Sequence, residues 1–237
     1  MTYLDLQRLN AIDPVTFRSQ TPYPWINPEG LLTEMGYRRL LETLPDATLF
    51  TPLFGGSRVY GQQSHDRFSL EYHDDLNIAD SWKEFIGELR GKDYHDFLRR
   101  LLGVRSFELF FLWHYTPHGC SVSPHCDSRR KLGSHIFYFN TTQDWNPAWG
   151  GETLLLDDGG DFNRKSAPHF EDFRQITAAE ALDNRSLLFA RTAHSWHGVR
   201  EIRCPEGQLR KVFIVVINCY TLVDRFQRFC GKPPRGY

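Results

Sequence analysis

No stretch of this chain approaches the ~18 consecutive apolar residues of a membrane-spanning helix. Its opening residues, MTYLDLQRLNAIDP, show no basic region leading into an apolar run. The sequence therefore reads as neither a membrane protein nor one with a secretory leader. An excess of one charge is also missing. The 28 Lys and Arg nearly offset 29 Asp and Glu, for a net charge of −1. No overall field then favours nucleic acid or an anionic membrane as a partner. Cysteine is scarce: the five, at 120, 126, 204, 219 and 230, are odd in number and include no C-x-x-C pair. That argues against a disulfide framework and against a zinc cluster. A reducing cytoplasm is the expected compartment. There is no internal repeat, no low-complexity tract and no nucleophile–base arrangement.

What is present is an ordinary globular composition, 41% hydrophobic with 14% aromatics, enough to build a sizeable core. We expect a single domain over 1–237. Residues 1–104 should supply N-terminal helical support with some strands, 105–220 a β core, and 221–237 a tail. Residues 1–28, with Pro14, Pro22, Pro24 and Pro28, look irregular. Leu31, Leu32, Met35, Leu40, Leu41 and Leu44 approximate one face of a helix that Pro45 stops. Asp80 is positioned to cap SWKEFIGELR, and Gly91 separates it from a second stripe, Tyr94, Phe97, Leu98, Leu101 and Leu102, ended by Gly103. From 104 onward apolar, β-branched and aromatic runs alternate with Gly, Pro, Asn and Asp. They predict strands at 107–115, 120–126, 134–140, 152–156, 186–190, 197–203 and 210–220. The segment 157–185 reads as a surface excursion, and helices before strands predict a mainly β fold with helices on one face.

The residues that carry chemistry are His125, Asp127 and His197. On a strand, residues two apart point to the same side, so His125 and Asp127 can aim at one point while Cys126, a small buried residue, turns away. A third ligand from His197 gives two histidines and one carboxylate, the set that suits non-haem Fe(II) and leaves open positions for substrates and dioxygen. Other histidines fit less well. Pro117 disfavours the helix that His114 and His118 would need as a zinc pair. His194, three before His197, is not expected to be a second ligand there, and His135 is expected beside the strand pocket or on its outer face. Arg129, Arg130 and Lys131 read as a solvated basic loop, with gripping an acidic substrate as the alternative.

Taken in order, YTPHGCSVSPHCD, HIFYFNTTQDWNPAWGGETLLL, LLFARTAHSWHGV and RKVFIVVIN resemble the Fe(II)/2-oxoglutarate dioxygenases of the prolyl 4-hydroxylase type. The resemblance spans about 105–220. It implies a double-stranded β-helix, or jelly roll, with His125, Asp127 and His197 as metal ligands. It also implies Fe(II) as metal, 2-oxoglutarate and O2 as co-substrates and ascorbate as a reductant. The activity it implies is hydroxylation of an unactivated C–H bond, in a prolyl residue of a peptidyl substrate or in a small molecule, with release of succinate and CO2.

The far carboxylate of 2-oxoglutarate needs a cation, which the family places on a strand after the distal histidine. Arg210 and Lys211 both stand there, on opposite faces. Arg210 is preferred because its fork matches a carboxylate and because it shares a face with Val212, Ile214, Val216 and Asn218. Tyr115 and Tyr138 match positions at which related chains present a phenol to the co-substrate pocket. Gly150 and Gly151 resemble the family's GGET turn and allow a backbone conformation barred to other residues, with Thr153 close to the pocket. Two rival readings share the barrel: a cupin-like metalloenzyme that does not use 2-oxoglutarate, and a non-catalytic binding or sensing module. The sequence gives no oligomeric state.

Overall fold

The computed structural model describes residues 1–56 and 59–219. The expected tail, and Cys230 with it, lies outside the described residues. Two short helices, α1 (Leu6–Ala11) and α2 (Pro14–Ser19), occupy the proline-rich start. Each is capped by an aspartate side chain, Asp5 or Asp13, that accepts from backbone N–H groups of its first turn, satisfying donors that have no partner inside the helix. This segment was expected to be irregular; the caps, more than apolar periodicity, are what make it helical. After β1 (Trp25–Ile26) comes α3 (Glu34–Glu42), shorter than the leucine pattern predicted. It starts at Thr33, whose hydroxyl accepts from the Gly36 N–H at 3.1 Å. Leu31 and Leu32 are buried ahead of the helix, whereas Met35 is exposed.

Strands β2 (Thr51–Leu53) and β3 (Arg67–Glu71) precede the two amphipathic helices α4 (Asp80–Leu89) and α5 (Lys92–Leu102). Asp80 is the first residue of α4 rather than its cap: Ala79 holds the cap position, and no side chain bonds there. Gly103 ends α5 in the left-handed conformation, φ 68°, which glycine adopts without penalty. The remaining strands are β4 (Phe107–Pro117), β5 (Val122–His125), β6 (Lys131–Tyr138), β7 (Leu154–Asp157), β8 (Gln175–Ala178), β9 (Ser186–Ala190), β10 (Trp196–Val199) and β11 (Leu209–Cys219). The predicted strands are all present, β9 with its predicted bounds and the others with shifted ends. β8 was not predicted; its alternating polar sequence QITA pairs with β7 inside the expected surface excursion.

All pairings are antiparallel. A seven-stranded sheet runs β1-β9-β6-β11-β4-β3-β2, and a four-stranded sheet runs β5-β10-β7-β8. This is the jelly-roll arrangement of two facing sheets expected from the sequence. The large sheet is covered twice. One face meets the helices: Trp82 lies 5.1 Å, ring to ring, from each of Trp113, Phe139 and Phe213, and Phe85, Tyr94 and Phe97 extend the same buried cluster. The other face, with Ile136, Tyr138, Leu187, Phe189 and Val212, packs toward Leu155 of the small sheet. Alternation along β11 divides its residues between these layers. Phe213, Val215 and Ile217 go to the helices, while Arg210, Val212, Ile214 and Val216 line the space between the sheets.

Candidate active site

β5 and β10 are neighbours in the small sheet, and His125 and His197 are Cα partners across them. Their ring centres are 4.3 Å apart. Asp127 follows the end of β5, with Oδ2 4.0 Å from His197 Nε2. One donor atom from each of the three residues falls within 4.8 Å of the other two. The imidazole orientations are set locally. His125 Nδ1 lies 2.9 Å from the Ser123 carbonyl and His197 Nδ1 3.0 Å from the Ser195 carbonyl. A carbonyl only accepts, so Nδ1 carries the proton in both rings and Nε2 keeps the lone pair, the tautomer a metal ligand requires. Burial, then the positive potential of His197 and His65, pushes the His125 pKa well below its usual value and keeps the ring neutral. Two neutral nitrogens and one carboxylate are a donor set that fits Fe(II). Among the described residues, this is the group of His, Cys, Asp and Glu that can hold a metal ion.

Asp127 is itself held. Burial opposes its charge, but the Lys131 ammonium and the two histidines outweigh that and keep the carboxyl well below the usual range. Lys131 Nζ donates to Asp127 Oδ1 at 2.7 Å, and the Ser134 hydroxyl lies 3.5 Å from Oδ2. Lys131, expected in a solvated basic loop, instead opens β6 and lines the cavity, as does Ser128 before it. Arg130 turns toward Glu108, at 3.9 Å. His194 takes no place in the triad; its Nδ1 is 2.9 Å from the buried Asp158 carboxylate.

The triad opens into a cavity of about 330 Å³ between the sheets, walled by Ile136, Phe189, Val212, Ile214 and Val216. Arg210, 6% exposed, reaches into it. Its Nε donates to the Gly151 carbonyl and its Nη2 to Thr153 Oγ1, the latter at 3.2 Å. Tyr138 donates to the same Thr153 hydroxyl oxygen at 2.9 Å, and the Arg210 guanidinium carbon lies 5.7 Å from the Tyr138 ring centre. Gly151 has φ +100°, and a Cβ there would approach Arg210 Cδ to 3.2 Å and Trp145 to 3.4 Å. The glycine is thus needed both for its conformation and for the room it leaves the arginine. Lys211 points the other way, 3.3 Å from the Asp144 carboxylate. A second, larger cavity of about 510 Å³ shares Arg210 but none of the triad.

Tyr115 is not at the pocket. β4 and β11 pair with Tyr115 opposite Lys211 and Thr116 opposite Arg210, which puts Tyr115 on the helix-facing side. There it stacks on Phe50 at 4.1 Å and donates to the Pro45 carbonyl at 3.0 Å. Its neighbour His114, set aside in the sequence as an unlikely zinc ligand, is the residue of β4 that lines the cavity, together with Leu112. His65, two residues before β3, and Arg67, its first residue, line it too and carry no motif. His65 packs its ring 4.4 Å from that of His125, and Arg67 donates to His114 Nε2 at 3.2 Å and to the His65 carbonyl at 2.7 Å. The available signal was parity. His114 alternates with the bulky row Phe111, Trp113, Tyr115, which belongs to the core.

Residues 110–217 match the family model of the 2OG-Fe(II) oxygenase superfamily, and the triad and fold described above agree with that match. The chain is accordingly a 2-oxoglutarate-dependent oxygenase, with Fe(II) and 2-oxoglutarate as the metal and co-substrate its family implies. Comparison with curated proteins gives no match. Solved structures do match. A Pseudomonas putida prolyl-4-hydroxylase is 15% identical with TM-score 0.59, covering 88% of this chain and 99% of its own. A Trichoplax adhaerens prolyl hydroxylase, in complex with a hypoxia inducible factor oxygen degradation domain peptide, is 14% identical with TM-score 0.63, covering 96% and 94%. The carbocyclase SnoK from nogalamycin biosynthesis is 9% identical with TM-score 0.62, covering 97% and 96%. At such identities these neighbours bear on the fold alone. No described helix is long and apolar enough to cross a membrane.

Proposed function

We propose that the protein hydroxylates an unactivated C–H bond, using His125, Asp127 and His197 to hold Fe(II) and Arg210 to hold the far carboxylate of 2-oxoglutarate. The observation that carries this reading is the presence of all four side chains around one cavity of about 330 Å³. When bound, the metal and co-substrate supply the oxidising chemistry, with dioxygen consumed and succinate and CO2 released. The protein's own part is to bind, orient and keep the cavity dry. Thr153 ties Arg210 to Tyr138, so Tyr138 supports the anchor through Thr153. Ile136, Val212 and Ile214 present apolar surface along the wall. One neighbour is a prolyl hydroxylase in complex with a peptide fragment and another a carbocyclase from nogalamycin biosynthesis, and fold alone does not select a substrate.

The test is anaerobic titration of the Fe(II) protein with 2-oxoglutarate, followed by the visible charge-transfer band of the chelate. A band in the unsubstituted protein, lost in Asp127→Ala together with substrate-independent succinate formation, supports the reading. Tight metal binding with no band favours a cupin-like enzyme that does not use 2-oxoglutarate, and absence of metal binding favours a non-catalytic module.

A further inference from the structure

The second cavity, of about 510 Å³, meets that of the triad only at Arg210, the one described residue that lines both. Its volume falls within the ~300–1,000 Å³ range of small-ligand sites, and the oxygenase reading gives it no role. Trp145, Pro147, Ala178, Ala181 and Leu182 make much of its wall apolar. Four carboxylates in the lining, Glu29, Glu152, Glu180 and Asp183, stand against two guanidiniums, Arg185 and Arg210. A lining of that sign disfavours a keto acid or any other anion and favours a cation. We propose that this cavity binds a small ligand carrying a protonated amine on an apolar body, and that the ligand tightens the binding of 2-oxoglutarate. The amine site rests on the cavity itself; the coupling rests on the reading of Arg210 as co-substrate anchor given above.

The four carboxylates are not equivalent. Glu29 and Glu180 are exposed and mark the mouth, and both are committed to Arg185, whose Nη2 lies 3.1 Å from one and 2.6 Å from the other. Asp183, also exposed, accepts from the Thr142 N–H at 3.0 Å. Glu152 is half-buried, and among the described residues its carboxylate makes no hydrogen bond and no ion pair. Its Oε2 lies 3.8 Å from the position a Cβ on Gly150 would take. The Trp145 indole donates to the Gly150 carbonyl at 2.8 Å, so carboxylate and indole meet at one turn of the wall. One supplies an acceptor for an ammonium, the other apolar surface for the body that carries it. A carboxylate withdrawn from water without a partner is costly, and a charge-assisted bond to a ligand ammonium offsets that cost.

Glu152 also links the two cavities. Burial disfavours the charge on Arg210, while Tyr138 and Glu152 favour it. Glu152 therefore attracts the same guanidinium that would hold the far carboxylate of 2-oxoglutarate. An ammonium bound at Glu152 neutralises this competitor and leaves the field of Arg210 to the co-substrate. The effect is reciprocal, as any coupling between two binding equilibria must be. A co-substrate that neutralises Arg210 makes the second cavity more negative, and the amine binds more tightly.

The experiment uses the full chain, first metal-free and then anaerobic with Fe(II) and 2-oxoglutarate. Phenethylamine and cyclohexylmethylamine are each compared with the matching alcohol, with phenylacetate, and with a short peptide carrying one central lysine. Binding is read from the NMR signal of the Trp145 indole N–H, identified by its loss in Trp145→Phe. At least one amine should bind about 10- to 100-fold more tightly than its alcohol, the range expected for one charge-assisted hydrogen bond. Glu152→Gln should erase that preference, and Glu152→Asp should keep part of it. In the charge-transfer titration, saturating amine should lower the 2-oxoglutarate dissociation constant by about fivefold or more, as is usual for coupled sites, and Glu152→Gln should abolish the effect. The amine site is overturned if an alcohol or phenylacetate binds as tightly as the amines, or if none of these compounds moves the Trp145 signal; both comparisons use the unsubstituted protein. A lysine peptide that outcompetes every free amine overturns the assignment to a small ligand. An amine that binds without altering 2-oxoglutarate affinity overturns the coupling. Failure of the band in the unsubstituted protein would sink the oxygenase reading instead, while the metal-free titration still decides the amine site.

Discussion

The Lys131 ammonium donates to one oxygen of Asp127 at 2.7 Å while the other oxygen faces His197. The carboxylate is thereby oriented from behind, and the side chain that does so is itself largely buried. Lys131→Met should lower Fe(II) affinity by about 10- to 100-fold, the usual effect of removing a partner of a metal ligand. Lys131→Arg should keep most of it. Equilibrium titration with Fe(II) under argon measures both, and an unaltered affinity in the methionine variant would show that Asp127 needs no such support.

Arg210 and Lys211 provide an internal control for the anchor. Arg210→Ala should raise the 2-oxoglutarate dissociation constant by at least about tenfold, as expected for loss of a bond to a charged group. Lys211→Ala, which removes only the contact to Asp144 on the far face, should change it little. The charge-transfer titration decides, and a larger effect at Lys211 reverses the assignment.

The two tyrosines should separate in the same way. Tyr138→Phe removes the hydroxyl that shares Thr153 with Arg210, so it should weaken 2-oxoglutarate binding. Tyr115→Phe removes a bond to the Pro45 carbonyl and should cost about 1 kcal/mol of stability with no change in co-substrate affinity. Denaturant midpoints set beside 2-oxoglutarate titrations distinguish the outcomes; a co-substrate defect in Tyr115→Phe would contradict its placement.

Acid sensitivity should arise partly beneath the large sheet. His135 is fully buried, shares a 2.9 Å hydrogen bond with the Tyr94 hydroxyl and lies against Phe137. Burial pushes its pKa from 6.5 to about 3. The unfolded chain takes up this proton near 6.5 and the folded one only near 3, so stability falls as pH drops through that window. One proton contributes a slope of up to about 1.4 kcal/mol per pH unit. Urea midpoints between pH 6.5 and 4.5, above the range in which Asp127 takes up its proton, should show this slope reduced by about one proton in His135→Leu. Parallel curves for the two proteins would exclude His135 as the source.

The sequence displayed the candidate ligands because their spacing is local: His125 ends β5 and Asp127 lies two residues on, close enough to converge with little help from the rest of the fold. Arg210 was legible for a similar reason, since Val212, Ile214 and Val216 mark its face. Tyr115 was not, because its side of β4 is fixed by a pairing register with β11 that no local pattern specifies. His65 and Arg67 stayed hidden for want of a motif. They reach the cavity because β3 adds to the edge of β4, a contact between distant parts of the chain. Lys131 looked like one of three solvated cations until Asp127 was seen beside it. The helices at the start were missed because aspartate caps, rather than apolar stripes, define them.

The histidine ligands belong to the four-stranded sheet, whereas Arg210, Lys131 and Ser134 belong to the seven-stranded one. Neither sheet owns a complete site. Ferrous ion and keto acid would therefore stitch the two halves together when they bind, and their affinity should report on how firmly the sandwich is closed.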